Sequence, residues 1–483
     1  MKRRKKDPRE NKNILHVTYG VVGVFAALTL YFGYFIQFRS EEVINNSYNA
    51  RLNSFADRIV RGSILSDDGT ALAETLVDES GGETRSYPYG SLFAHVVGYS
   101  GQNGKTGLEA LGNFYLLSSH VNLAEKVFNE LIGSKNVGDN IVTTLNLELQ
   151  QVASDALGDR RGAVIVMEPD TGKVLAMVSK PGYDPNTIDA DWAALTSEDN
   201  KSANLLNRAT QGLYPPGSTF KIITLLEYIK EHPDYENFTF DCDGVYENGD
   251  YQIRCYHQNA HGTQTLMQAF ANSCNGAFAS LGLEVNPGKM RDLAEQFLYN
   301  QSLPLAIPYN KSSYTMEDEA DTWEILQTSI GQGKTQMTPM HNLMLISAVA
   351  NGGTLMKPYF IDRVENVGGQ TIKKFMPSSA GSLMSAGDAG LLTEFLTDVV
   401  TEGTGSAVRT DAYTVAGKTG SAEFETGRET HAWFVGFAPA EDPKVAVCVL
   451  VEEGGSGGQV AAPIARAIFD WAASMDSGEE ESE

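Results

Sequence analysis

From Val445 to Val451 every residue is apolar: Val445, Val447, Val449 and Val451 alternate with Ala446, Cys448 and Leu450. Alternation along a strand sends the two sets to opposite faces, so this run fits a strand buried on both sides. Such a strand belongs in a sheet covered by helices on each face. Its partner is His431–Ala438, joined to it through Pro439-Ala440-Glu441-Asp442-Pro443 as a hairpin. A second hairpin is read at Gly162–Met167 and Lys173–Ser179, around Pro169-Asp170-Thr171-Gly172. Leu147, Leu149, Val152 and Leu157 mark a helix over Leu145–Leu157, and Ala461–Met475 supplies a helix for covering the sheet. The class is α+β, and 483 residues are enough for two or three domains with a large core.

The first forty residues set the compartment. Lys2, Arg3, Arg4, Lys5 and Lys6 precede a mostly apolar stretch, Ile14–Phe38, that is longer than the roughly 20 residues a spanning helix needs. It ends Tyr34-Phe35-Ile36-Gln37-Phe38, without the small residues of a signal-peptide cleavage site, so it reads as an uncleaved transmembrane anchor. The basic cluster stays on the cytoplasmic side, which places the chain after Arg39 outside. The organisation is therefore a cytoplasmic arm (1–13), an anchor (14–38), a small extracytoplasmic module (39–138), a large domain (139–475) and an acidic, disordered tail (476–483). The boundary between module and domain is the polar turn Val137-Gly138-Asp139-Asn140. A net charge of −24, from 37 basic and 61 acidic residues, leaves no surplus of cations to neutralise phosphates, which excludes nucleic acid as a partner.

Three strings carry the chemistry. Ser218-Thr219-Phe220-Lys221 follows Tyr214-Pro215-Pro216-Gly217, and proline cannot sit deep in a helix, so a helix begins near Gly217. Ser218 then lies in its first turn, where free N–H groups favour a developing oxyanion. Lys221, three residues on, shares that face; a desolvated lysine can act as the base that activates a serine hydroxyl. Lys418 is the second cation that would lower its pKa further. Ser273-Cys274-Asn275 follows a helix at Leu266–Ala271 and offers hydroxyl and amide groups for proton relay and substrate binding. Lys418-Thr419-Gly420 closes a strand-like run from Tyr413 to Ala416; Gly417 and Gly420 let a substrate backbone lie close, and Lys418 with Thr419 and Ser421 can bind a carboxylate. The Ser218 and Ser421 N–H groups could form an oxyanion hole. Each string alone also fits a blander reading: a capping serine, a polar loop, a strand end with a surface lysine. A phosphate loop is excluded at Gly417-Lys418-Thr419 and Gly333-Lys334-Thr335, because Ala412 and Thr328 stand where its first glycine is required.

The cysteines divide. Cys448 belongs to the core. Cys242 and Cys255 flank the turn Glu247-Asn248-Gly249-Asp250, which could bring them together as a disulfide in an oxidising compartment. Cys255, His257 and His261 invite a metal reading, but the order matches no common zinc site and no metal is assigned.

Together, the strings make the set known from class A β-lactamases and penicillin-binding proteins. The chain resembles class B penicillin-binding proteins, the peptidoglycan D,D-transpeptidases. Further likeness lies in Arg61-Gly62-Ser63-Ile64 with Asp68-Gly69 and Leu72-Ala73, in His95-Val96-Val97-Gly98-Tyr99, and in Gly107-Leu108-Glu109. It continues through Ala209–Lys221, Gly331-Gln332-Gly333 with Thr338-Pro339, and Ala432–Pro439. The resemblance implies a pedestal or dimerisation-like N-terminal module and a transpeptidase domain that uses no cofactor. It implies that Ser218, with Lys221 as base, attacks the carbonyl between the terminal D-alanines of a stem peptide. Ser273 and Lys221 would pass a proton to the departing D-alanine, and Asn275, Lys418, Thr419, Gly420 and Ser421 would hold the donor. A neighbouring amine would then resolve the acyl-enzyme. β-Lactams should acylate Ser218, and a membrane glycosyltransferase of the cell-wall machinery is the implied partner. The N-terminal module is too small to be a glycosyltransferase itself. No glutamate is identified in the role of a class A deacylating base. The competing functions are a D,D-carboxypeptidase or β-lactamase-type hydrolase, and a penicillin-binding sensor or scaffold.

Overall fold

The computed structural model describes residues 8–38, 58–425 and 427–480. The basic cluster Lys2–Lys6 and the end of the acidic tail lie outside the described residues. The apolar stretch falls within one helix, Pro8–Phe38, of which Ile14–Ile36 is long and apolar enough to cross a membrane. Its two threonines do not interrupt it. The Thr18 and Thr29 hydroxyls each donate to a carbonyl four residues back at 2.8 Å, satisfying themselves inside the helix.

The all-apolar strand, Val445–Val451, is central in a five-stranded antiparallel sheet. The order across the sheet is Val174–Lys180, Gly162–Met167, Val445–Val451, His431–Ala438, Ala416–Ala422. Val445, Val447, Val449 and Val451 pack with Leu149, Ala153 and Leu157 of the helix Leu147–Leu157 and with Ile464, Ala465 and Ile468 of the helix Ala462–Glu480. Ala446, Cys448 and Leu450 join the other core cluster, with Met340 and Leu343 of the helix Pro339–Ala350. Each buried valine contributes roughly 1.5–3 kcal/mol relative to exposure, so a charge at Val449 would unfold this layer.

Three elements differ from the sequence reading. The strand assigned to Tyr413–Ala416 instead runs Ala416–Ala422, so Lys418, Thr419, Gly420 and Ser421 lie within it. Val435 faces Lys418 and Ala432 faces Ser421 across the ladder. Gly417 is what permits this: a Cβ there would come within 2.6 Å of the Phe434 ring. Second, the helix Ala462–Glu480 continues into the acidic tail, since propagating a packed helix adds one hydrogen bond per residue fixed. Third, the second hairpin's return strand is Val174–Lys180, one residue later than expected.

A six-stranded sheet crosses the polar turn at Gly138. Its order is Thr371–Lys374, Ile361–Glu365, Asn140–Thr143, Ile64–Leu65, Ala71–Val77, Glu83–Ser86. Beside it, Arg61 and Arg85 clamp the fully buried Glu109: Arg61 Nε donates to Oε2 and Arg85 Nε to Oε1, both at 2.7 Å. Burial alone would raise the Glu109 pKa, but the two guanidiniums outweigh it and hold the carboxyl down to about 2. The sequence landmarks Arg61-Gly62 and Gly107-Leu108-Glu109 are thus two ends of one ionic staple.

Candidate active site

Ser218 sits half-buried in a 3-10 turn, Gly217–Phe220, that leads directly into the helix Lys221–Glu231. The turn is pinned by backbone. Gly217 N–H donates to Gly331 O at 2.9 Å, and Gly331, at φ 74°, has no room for a side chain because a Cβ would lie 2.0 Å from Gly217 O. On its other side, Gly420 of the edge strand faces Pro216 O and Thr219, each 3.3 Å from where a Cβ would be. Glycine at 331 and 420 therefore lets two backbones close on the turn that presents Ser218.

Lys221 is the first residue of the α-helix and is fully buried. Its Nζ donates to Ser273 O at 2.7 Å and to Asn275 Oδ1 at 2.8 Å, and lies 5.3 Å from the centre of the Phe278 ring. Lys418 is equally buried. Its Nζ donates to Ser273 Oγ at 2.9 Å and to Thr419 O at 3.2 Å, over the Phe270 ring. Ser273 is held at φ 54°, a left-handed conformation uncommon for a non-glycine residue, and this aims both its oxygens at the lysines. Burial pushes the Lys221 ammonium down to about 8, and burial with the neighbouring Lys221 charge pushes Lys418 well below the ordinary lysine value. A neutral amine has two protons to give. Lys221 can spend them on Ser273 O and Asn275 Oδ1, which leaves a lone pair for a third partner.

A cleft of about 500 Å³ opens over this arrangement, and Ser218, Ser273, Asn275, Thr419, Gly420 and Ser421 all line it. The two lysines lie behind the wall. A serine presented by a helix entry, a desolvated amine and a second amine sharing one hydroxyl are the parts needed for acyl transfer.

The comparisons agree with that chemistry. Residues 162–470 match the penicillin binding protein transpeptidase domain, and residues 61–141 match the penicillin binding protein A dimerisation domain. The chain belongs to the penicillin-binding protein transpeptidase family. It is 35% identical over 416 residues to the peptidoglycan D,D-transpeptidase PbpA of Mycolicibacterium smegmatis, covering 80% of this chain and 83% of that one. The crystal structure of the D,D-transpeptidase domain of a peptidoglycan glycosyltransferase from Eggerthella lenta matches with a TM-score of 0.78 at 33% identity, covering 87% of this chain and 99% of that one. Penicillin-binding protein A of M. tuberculosis, solved as its penicillin G acyl-enzyme, matches with a TM-score of 0.77 at 32% identity, covering 86% and 100%.

The cleft of this penicillin-binding protein also brings together residues the strings did not contain. Thr404 Oγ1 lies 2.6 Å from Thr419 Oγ1 and lines the cleft, and Asn275 Nδ2 donates to Arg254 O at 2.8 Å. Nothing in the spacing of Thr404 or Arg254 marks them; only the folded chain brings them here. Glu423 also lines the cleft, where it is exposed. The cysteines depart from the disulfide reading. Cys242 and Cys255 remain thiols with their sulfurs 3.7 Å apart, and Cys274, the middle residue of the second string, lies 3.8 Å from Cys255.

Proposed function

We propose that Ser218 is the nucleophile of this serine-type peptidoglycan D,D-transpeptidase and the atom that β-lactams acylate. The observation that carries the reading is the convergence of Lys221 and Lys418 on Ser273 behind the cleft that Ser218 lines. In the first step Ser218 Oγ bonds to the carbonyl carbon between the two terminal D-alanines, and its proton passes to Lys221 Nζ. The Ser218 and Ser421 N–H groups receive the oxyanion. The C–N bond then breaks, and the departing D-alanine amine takes a proton through Ser273 and Lys221. In the second step an amine of a neighbouring stem peptide attacks the ester carbonyl, gives up a proton and returns the Ser218 hydroxyl. Asn275, Thr419, Gly420 and Ser421 hold the donor, with Lys418 behind them donating to Ser273 Oγ.

The anchor helix supports an enzyme held at the cell membrane with its N-terminus in the cytoplasm and its cleft outside, where stem peptides are. We assign the pedestal-like module to residues 39–138 and the transpeptidase domain to 139–475. A membrane glycosyltransferase that supplies nascent strands is the natural partner, because this chain cross-links glycan strands that another activity must polymerise.

Labelled penicillin tests the site. The full chain should form a stable adduct on the peptide containing Ser218, and Ser218→Ala should form none. Rapid turnover to penicilloate would instead make the enzyme a hydrolase, and a label on another residue would overturn the assignment.

A further inference from the structure

Two short hairpins lie beside the cleft, Thr239–Cys242 paired with Gly262–Thr265 and Val245–Asn248 paired with Tyr251–Arg254. They bury few side chains of their own, with Phe240 and Tyr246 only partly buried against the neighbouring core. Between Thr239 and Thr265 the buried side chains are Cys242, Ile253, Cys255 and Gln264. A two-stranded hairpin is marginal in water without a packed face or a staple. Here the chain instead concentrates ligating groups. Cys242 ends one strand, Cys255 follows another, His261 precedes a third, and Cys274 caps the helix Asn275–Glu284. Their ligand atoms all lie within 4.8 Å of one another.

The separations have the size of a tetrahedron's edges. Four ligands at about 2.3 Å from a zinc ion place neighbouring sulfurs about 3.8 Å apart. The observed distances are 3.7 Å for Cys242 Sγ to Cys255 Sγ, 3.8 Å for Cys255 Sγ to Cys274 Sγ, and 3.3 Å for Cys242 Sγ to His261 Nδ1. Backbone bonds hold the two strand-end cysteines in place: His261 N–H donates to Cys242 O at 3.1 Å and Cys255 N–H to Gly244 O at 3.0 Å. All three cysteines are buried, in a setting where free thiols make only weak hydrogen bonds.

We propose that Cys242, Cys255, His261 and Cys274 form a four-coordinate structural zinc site that staples the hairpins to the loop carrying Ser273 and Asn275. Four protein ligands close the coordination sphere, so the ion has no open position for substrate. Its effect on chemistry runs through Cys274, which lies between the two residues that receive Lys221. Fixing that sulfur fixes the loop that holds Ser273 in its left-handed conformation. The sequence order concealed the site, because His257 was the more obvious neighbour of Cys255 and the fourth ligand sits inside the second string.

The metal claim stands by itself, whereas the positioning role rests on the Ser218 reading, and the two are measured separately. Full-length protein purified in detergent without chelator or added metal should carry about one zinc per chain by plasma mass spectrometry. His261→Ala and Cys242→Ser should lose it, and His261→Cys, which restores a ligand, should keep it. Cobalt(II) exchanged into the wild type should give the strong visible bands of a tetrahedral thiolate site. Zinc content near zero in the wild type, undiminished content in both ligand-deleting variants, or a Cys242–Cys255 disulfide found by peptide mapping would each overturn the site. Stripping the ion with a chelator should slow penicillin acylation at least about tenfold, with recovery on adding zinc, in the range seen when a metal site's supporting shell is lost. An unchanged rate in the stripped protein would remove the positioning role and leave the metal site standing.

Discussion

Lys418 Nζ donates to Ser273 Oγ at 2.9 Å while Lys221 Nζ donates to the carbonyl of the same residue at 2.7 Å. One serine thus separates two buried amines, and their mutual repulsion favours at least one of them neutral. Lys418→Met tests what this arrangement is for. It removes a fully buried amine together with the cost of taking that polar group out of water. The expected outcome is an unchanged or higher Tm with penicillin acylation slower by a factor of about 10²–10⁴, the range for losing a positioned proton-transfer group. A variant that loses stability and keeps its rate would make Lys418 structural.

Gly331→Ala and Gly420→Ala probe the two backbones that close on Ser218. At Gly331 the added methyl would overlap Gly217 O at φ 74°, so the turn must move, and stability should fall by more than about 1 kcal/mol. At Gly420 the nearest atoms are Trp433 Cβ at 3.2 Å and Pro216 O and Thr219 Cγ2 at 3.3 Å, so shifts of tenths of an ångström suffice. Gly420→Ala should therefore keep its Tm within a few degrees while acylation drops. Denaturation and stopped-flow acylation on the same preparations separate the two outcomes.

The apolar pattern made the valine strand, its hairpin partners and their covering helices readable, because alternation along Val445–Val451 leaves a strand buried on both faces as the natural reading. The three strings were readable as chemistry for a similar reason: helix entry, loop and strand each have local signals. What was hidden depends on contacts between distant segments. The Lys418 strand was placed too early because nothing local shows that Gly417 makes room for Phe434. The pairing of Asn140–Thr143 with both Ile64–Leu65 and Ile361–Glu365 was unreadable, since a strand's partner leaves no mark in its own sequence. The four ligating residues were scattered over two hairpins and a helix cap, a spacing that matches no compact motif.

Two histidines should give stability a pH slope. Burial lowers His95 and His341 to about 4, against an ordinary value near 6.5; the His341 ring is enclosed by Ser312 Oγ at 2.7 Å and Phe297 O at 2.6 Å. The unfolded chain takes up protons as pH falls below 6.5, whereas the folded protein does not until about 4. Stability present at neutral pH is therefore lost between those values, by up to about 1.4 kcal/mol per pH unit for each histidine. Thermal melts from pH 7 to 4 should show the decline, and His341→Gln should flatten it even as it lowers the Tm at pH 7.

Glu109→Gln should be among the more damaging single changes distant from the cleft. It leaves Arg61 and Arg85 in place around a neutral amide, and breaking a buried ion pair from one side costs about 3–5 kcal/mol. Because the staple lies in the N-terminal module, the folded fraction should acylate at the wild-type rate. Loss of acylation without loss of Tm would instead place Glu109 in communication with the site.

The last prediction concerns water. A hydrolase needs a base that activates water against the acyl-enzyme, and Glu423 is a carboxylate that lines the cleft. Its side chain is exposed to solvent rather than enclosed beside Ser218, so it should not perform that task. Glu423→Gln should leave the slow release of bound penicillin unchanged, measured by loss of label over hours. A marked slowing in that variant would make Glu423 a deacylating base and move the enzyme toward carboxypeptidase chemistry. An unchanged release rate, with added acceptor amine accelerating turnover of a thioester substrate, is the outcome expected of an enzyme whose second substrate is an amine.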